Sequence, residues 1–136
     1  MVVDASVAVA WCFEDESSGV ADKVLDRLAA GAEAFAPAIW PFEVANALLT
    51  AERRKRIKVA QTAALLQRVA RLPVSIEPLD AGSVLNQMFS LAREHALTVY
   101  DAAYLELALR KGLPLATLDN QLHRSAVGLG LALVGA

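Results

Sequence analysis

The strongest constraint on this chain is the order in which short apolar runs alternate with helix-forming stretches. Met1 to Val3, Ala34 to Ala36, Val74 to Glu77, Leu113 to Leu118 and Leu131 to Val134 are each short and largely apolar, and helical stretches separate them. Repeated strand-then-helix units build a mainly parallel sheet with helices on both faces. The expectation is an α/β chain of 136 residues, residues 1–136 forming a single domain. Its architecture would be a three-layer α/β/α sandwich around about five short strands. Right-handed crossovers bring the carboxyl ends of parallel strands to one edge, and helices that follow strands begin there. Ligand chemistry belongs at that edge.

Four acids fall there by construction. Asp4 follows the first strand and Asp119 follows Leu113 to Leu118, while Glu43 and Asp101 lie in the first turns of helices. Each has a simple structural explanation: Asp4 as an N-cap, Asp119-Asn120 as the opening of a short helix toward Arg124, and the other two as partners of the helix dipole. In an α/β sheet the same positions bind ligands, so Asp4 is open to both explanations. Asp101 is more telling. The helix from Tyr100 to Lys111 stops at Gly112 and Pro114. Its i, i+4 pair Glu106 and Arg110 marks a solvent face. That face lies roughly 140° and 180° around from Asp101, which shares the other side with Leu105 and Ala108. Between Pro37 and Pro41 the chain enters another helix, along which Glu43, Asn46, Thr50 and Arg53 draw one polar stripe, with Glu52 on the far side. The stripe is either a wet face or the lining of a cleft.

Like charges gathered at one edge repel and hold protons at raised pKa values. A hard divalent cation resolves that conflict, and carboxylate oxygens suit Mg²⁺ or Mn²⁺. Zinc has no competing set, because the single Cys12 reads as core filling and His95 and His123 as surface residues. Such a metal activates water and neutralises charge on a phosphoryl group, which points to nucleic acid hydrolysis.

The rest of the chain supplies context. Val7 to Phe13 reads as an apolar helix, Glu14-Asp15-Glu16 as a solvated loop, and Ser17 or Ser18 as the cap of a helix running to about Ala30 and ended by Gly31. Val59 to Leu72 forms the second arm of a helical hairpin. Its bend carries Arg53, Arg54, Lys55, Arg56 and Lys58, either a solvated helix end or a patch for RNA or a partner. Asp80 caps a helix reaching Ala96. The apolar fraction of 56% exceeds the usual ~45–50%, and much of it is alanine, which favours closely packed helices. No apolar run approaches the roughly 18 residues of a membrane span, and the N-terminus lacks a positive signal region, so a cytoplasmic protein without membrane contact is expected. A net charge of -2 gives no bulk attraction to nucleic acid.

Asp4-Ala5-Ser6, Pro41-Phe42-Glu43-Val44-Ala45-Asn46-Ala47-Leu48, Tyr100-Asp101-Ala102-Ala103-Tyr104 with Leu107-Ala108, and Thr117-Leu118-Asp119 resemble, in order and spacing, the four acidic motifs of PIN domains. The resemblance covers nearly the whole chain and is nearest to the VapC-type toxins of bacterial toxin-antitoxin pairs. It implies a PIN-like fold and an endoribonuclease dependent on Mg²⁺ or Mn²⁺. By that resemblance Asp4, Glu43, Asp101 and Asp119 match the catalytic metal site, the fourth position being the least uniform in such proteins. Ser6, Asn46 and Thr117 match polar positions that orient ligands or water. It further implies a homodimer and a small antitoxin that wraps the helical hairpin and blocks the pocket. Two other functions stay open on the residues alone. One is a catalytically silent PIN-like module that binds RNA or a partner. The other is a receiver-type phosphoacceptor, which usually carries adjacent acids after the first strand and a lysine near the last. Here Ala5 and Ser6 follow Asp4, and no lysine lies beyond Lys111.

Overall fold

The structure is a computed structural model that describes residues 1–16 and 18–135, Glu14 by its backbone alone. Among the described residues the sheet has four strands, β1 (Val2–Val3), β2 (Ala34–Pro37), β3 (Val74–Glu77) and β4 (Leu115–Ala116), all parallel and in the order β3-β2-β1-β4. Strands β1 and β4 are two residues long and pair Val2 with Leu115 and Val3 with Ala116. Successive side chains on a strand point to opposite faces, so each pair divides between two cores. On one face Val2 and Leu115 pack with Val44 and Leu48 of α3 (Trp40–Arg53) and with Tyr104 and Leu105 of α7 (Val99–Lys111). On the other, Val3 and Ala116 meet Val7 of α1 (Ala5–Cys12) and Ala21 and Val24 of α2 (Gly19–Ala29). Two separate cores on one sheet make the expected three layers.

The fifth strand is reduced to a single bridge. Leu133 pairs with Leu115, the Leu115 N–H donating to the Ala132 carbonyl at 2.9 Å and the Val134 N–H to the Leu115 carbonyl at 2.9 Å. The physical reason lies in β4. Pro114 has no N–H to give, and beyond Ala116 the backbone turns to side-chain hydroxyls, so Leu115 alone offers a free edge.

Other differences are local. Helix α1 begins at Ala5 rather than Val7, and α4 (Val59–Ala70) ends short of Leu72. The Ser18 hydroxyl accepts from the Ala21 N–H at 3.1 Å and caps α2; Ser17 lies outside the described residues. The stretch expected to be one helix from Asp80 is α5 (Ala81–Ser83), a π-helical turn (Val84–Met88) and α6 (Phe89–His95), closed by Ala96 at φ 53°. Helix α8 (Asn120–Gly128) follows β4.

The acidic loop after α1 is a 3₁₀ turn, and it is more than solvated surface. Arg56, from the bend between α3 and α4, donates to both oxygens of Asp15 at 2.8 and 2.9 Å and to Glu16 at 3.1 Å. Its guanidinium also stands 4.1 Å from the centre of the Phe13 ring. Arg56 is thereby engaged, while Arg53, Arg54 and Lys55 are exposed. Among the described residues no helix is long and apolar enough to cross a membrane.

Candidate active site

Strands β1 and β4 are parallel neighbours, so the chain leaves both at the same edge. The Asp4 N–H donates to the Ala116 carbonyl at 3.0 Å, which extends the ladder by one residue and brings Asp4 beside Thr117. Asp4 occupies the N-cap position of α1, yet its side chain makes no cap bond. Instead Oδ2 accepts the Ser6 hydroxyl at 2.7 Å and the Thr117 hydroxyl at 2.8 Å. Those hydroxyls are themselves fixed, Ser6 accepting from the Leu118 N–H at 2.9 Å and Thr117 from the Asp119 N–H at 3.0 Å. Each hydroxyl has one proton to give, and both protons point at the same carboxylate oxygen. Asp4 is 5% exposed. Burial pushes its pKa up, the bonds from Ser6 and Thr117 draw it back, and the charge of Asp101 pushes it up again. The capping explanation of Asp4 is therefore set aside.

Glu43 sits in the first turn of α3, half-buried. Its Oε1 accepts the Tyr104 hydroxyl at 2.6 Å. Burial raises the Glu43 pKa, the Tyr104 bond lowers it, and the charges of Asp4 and Asp101 raise it. Tyr104 is wholly buried. Its own pKa is driven far above the ordinary tyrosine value, first by burial and then by the bond to Glu43, so the hydroxyl remains a donor. Sequence reasoning did not single out Tyr104 as functional. The signal was there, because Tyr104 lies one helical turn from Asp101 on the same side, and a buried tyrosine hydroxyl needs a partner.

Asp101 occupies the first turn of α7, its N–H donating to the Thr98 hydroxyl at 3.1 Å. Leu105 and Ala108 on its side of the helix are fully buried, as the rotation argument requires. The Glu106–Arg110 pair forms at 2.8 Å, although the Glu106 side chain is only 12% exposed against 51% for Arg110. The pair thus borders the packed surface instead of standing in open water. Burial raises the Asp101 pKa, the Asp119 charge adds to it, and the Thr98 bond opposes both.

Asp119 is exposed, and its Oδ1 accepts the Leu122 N–H at 2.8 Å. It caps α8, as the local sequence suggests, while its charge still reaches Asp101. Asn46 lines an open cleft with Ile39, Phe42, Glu43 and Tyr100; Thr50 and Arg53, further along the stripe, do not. The basic bend is remote from the acids, since Arg53 is ten residues beyond Glu43, about 15 Å along the helix.

Mutual charge effects thus tie Asp4, Glu43 and Asp101 together, with Asp119 reaching Asp101. Among the described residues, no three His, Cys, Asp or Glu side chains stand close enough to hold a metal ion jointly. The donors nevertheless fit Mg²⁺ or Mn²⁺ in kind. They are hard oxygens, the best fixed of them is aimed by two hydroxyls, and Mg²⁺ usually keeps several waters and takes one or two carboxylates.

The PIN domain family model matches residues 1–128. Ribonuclease VapC3 of Pyrobaculum aerophilum is 33% identical over 122 residues, 90% of this chain and 91% of that protein. Ribonuclease VapC3 of Mycobacterium tuberculosis is 36% identical over 125 residues, 92% of this chain and 86% of the relative. Among solved structures, PAE2754 from Pyrobaculum aerophilum superposes with a TM-score of 0.70 at 26% identity, over 91% of this chain and 77% of that one. Mycobacterium tuberculosis VapC20, a Sarcin-Ricin loop cleaving toxin, shares the fold with a TM-score of 0.65 at 15% identity, over 91% and 93%. With its motifs at one sheet edge and the family model spanning nearly all of it, this chain belongs to the PIN domain family.

Proposed function

We propose that this chain is a metal-dependent endoribonuclease, the toxin of a toxin-antitoxin module, which hydrolyses RNA phosphodiester bonds at the acidic edge. One observation carries the reading: Asp4 is almost buried, is not used as a cap, and has one oxygen fixed by Ser6 and Thr117 within charge range of Glu43 and Asp101. Burying a carboxylate among others of like charge is unfavourable unless a cation uses the site. The relatives named Ribonuclease VapC3 support the substrate class.

Asp4 and Asp101 would hold Mg²⁺ or Mn²⁺, with Glu43 and Asp119 at the margin. When bound, such an ion activates water and offsets charge on the phosphoryl group. The chain's own residues prepare the ground. Ser6 and Thr117 orient Asp4 through Oδ2, which leaves Oδ1 clear of both hydroxyls. Tyr104 fixes Oε1 of Glu43, so Oε2 is the atom free to take a proton from an attacking water, and a pKa raised by burial suits that task. Thr98 anchors the turn that carries Asp101. The proposed partners are RNA, a small antitoxin protein and a second copy of the chain, in the cytoplasm, with residues 1–136 as one domain. Arg53, Arg54 and Lys55 remain available for phosphate or partner contacts; Arg56 is engaged by Asp15 and Glu16.

The test is incubation with total RNA, with and without divalent metal, and mapping of the cleaved ends. Metal should support cleavage and Asp101→Asn should abolish it. Cleavage that survives both EDTA and that substitution would overturn the assignment. A second reading is a silent RNA- or partner-binding module. It is favoured by Asp119, whose side chain is already used to cap α8 through the Leu122 N–H. RNA binding without cleavage at any metal concentration would establish it.

A further inference from the structure

Two aromatic side chains stand in solvent beside the acidic edge. Phe42 is 77% exposed and Tyr100 is 64% exposed. They come from the first turns of different helices, α3 and α7, and each immediately precedes an acid of the edge, Glu43 and Asp101. Both line one open cleft with Ile39, Glu43 and Asn46. Glu43 therefore belongs to the cleft and to the acidic edge at once.

We propose that this cleft is a base-binding subsite, in which Phe42 and Tyr100 stack an unpaired nucleobase next to the bond being cut and Asn46 hydrogen-bonds the edge of that base. The inference rests on the endoribonuclease reading and names its substrate class as single-stranded or looped RNA.

Charge selects the occupant. The lining residues include one acid and no base, which disfavours a phosphate or an acidic peptide. A neutral, flat ligand with a π face and a polar edge is complementary. Every nucleobase has such a face, and aromatic side chains bind it only when it is unstacked. The Asn46 amide offers both a donor and an acceptor, as base edges do. The cleft volume of about 410 Å³ lies within the roughly 300–1,000 Å³ of small-ligand sites. In a duplex the base faces are already occupied by their neighbours, so a duplex gains nothing here.

The experiment compares Phe42→Ala, Tyr100→Ala and the ring-preserving Phe42→Tyr and Tyr100→Phe in the full chain. Anisotropy of a fluorescein-labelled oligoribonucleotide, single-stranded or annealed to its complement, reads affinity in an Asp101→Asn background. Steady-state cleavage without that substitution reads kcat and KM. Each alanine variant should weaken single-strand binding by roughly 5- to 150-fold, the range of one lost stacking contact. KM should rise with little change in kcat, duplex binding should not move, and the ring-preserving variants should restore affinity. Unchanged single-strand affinity and KM in both alanine variants, with the parent chain still cutting RNA, would overturn the subsite alone. Alanine variants that dissociate a dimer by light scattering while keeping full RNA affinity would overturn it too, as the pair would then be a subunit contact. A parent chain that neither binds nor cuts RNA would overturn the endoribonuclease reading beneath it.

Discussion

A buried carboxylate that takes two hydroxyl protons on one oxygen must respond differently to two substitutions. Asp4→Asn keeps a carbonyl oxygen for Ser6 and Thr117 and removes a charge placed near Asp101 and Glu43. In EDTA its unfolding free energy should equal or exceed that of the parent. Asp4→Ala strands both hydroxyl donors and should cost about 1–3 kcal/mol. Urea unfolding separates the two, and an Asn variant as unstable as the Ala variant would mean that the charge itself holds the network. Tyr104→Phe tests the other fixed acid. It frees Oε1 of Glu43 and, with Glu43 at the margin of the ion's site, should weaken Mn²⁺ binding by at most about tenfold, the lower end for loss of a direct ligand's outer partner. Calorimetry should find no further loss when it is added to Glu43→Gln; additive losses would show that Tyr104 does not act through Glu43. The side of the helix on which Asp101 lies was legible because rotation per residue is a local property. The partners of Asp4 and Glu43 were not, since Thr117 is 113 residues from Asp4 and Tyr104 is 61 from Glu43. Only a fold closes those distances.

Helix α7 positions the site through its two ends, and both were written locally. Thr98 accepts the Asp101 N–H, and Gly112 closes the helix at φ 63°, a left-handed conformation that favours glycine. Asp80 makes a similar cap, accepting the Ser83 N–H at 3.0 Å, at the start of α5. Thr98→Ala and Asp80→Ala should each cost about 1 kcal/mol in stability. Only Thr98→Ala should also weaken Mn²⁺ binding, because the turn it loosens carries Asp101. Equal metal affinity in the two variants would uncouple the cap from the site. Strand β3 matches its expected span, Val74–Glu77, since β-branched residues and two flanking prolines define it. The π-helical turn, the shortened β4 and the Arg56 clamp were not legible. The first two depend on packing against neighbours, and the clamp joins residues 40 and 41 positions apart.

Parallel topology gathers the acids at one edge of the molecule, which is why their shared location is legible in the sequence. Their burial, with mutual repulsion added, makes the stability of the folded chain depend on pH. The pKa values of Asp4, Glu43 and Asp101 are all raised in the folded state, chiefly by burial. The folded chain therefore binds protons more tightly than the unfolded one. Its extra stability is fully present below the ordinary values of 3.8 for Asp and 4.5 for Glu and is lost as pH rises through the raised values. In EDTA, acidification from neutral toward pH ~5 should raise the melting temperature, by about 3–5 °C for each kcal/mol of burial cost and repulsion relieved. A divalent ion needs the same carboxylates ionised, so it competes with those protons. At 100 times its Kd it should add about 2.7 kcal/mol, and only on the alkaline side. Melting curves with and without Mg²⁺ or Mn²⁺ should therefore diverge above neutrality and converge toward pH 5. Curves that stay parallel across that range would mean that the carboxylates of this edge do not bind the ion, however close their charges lie.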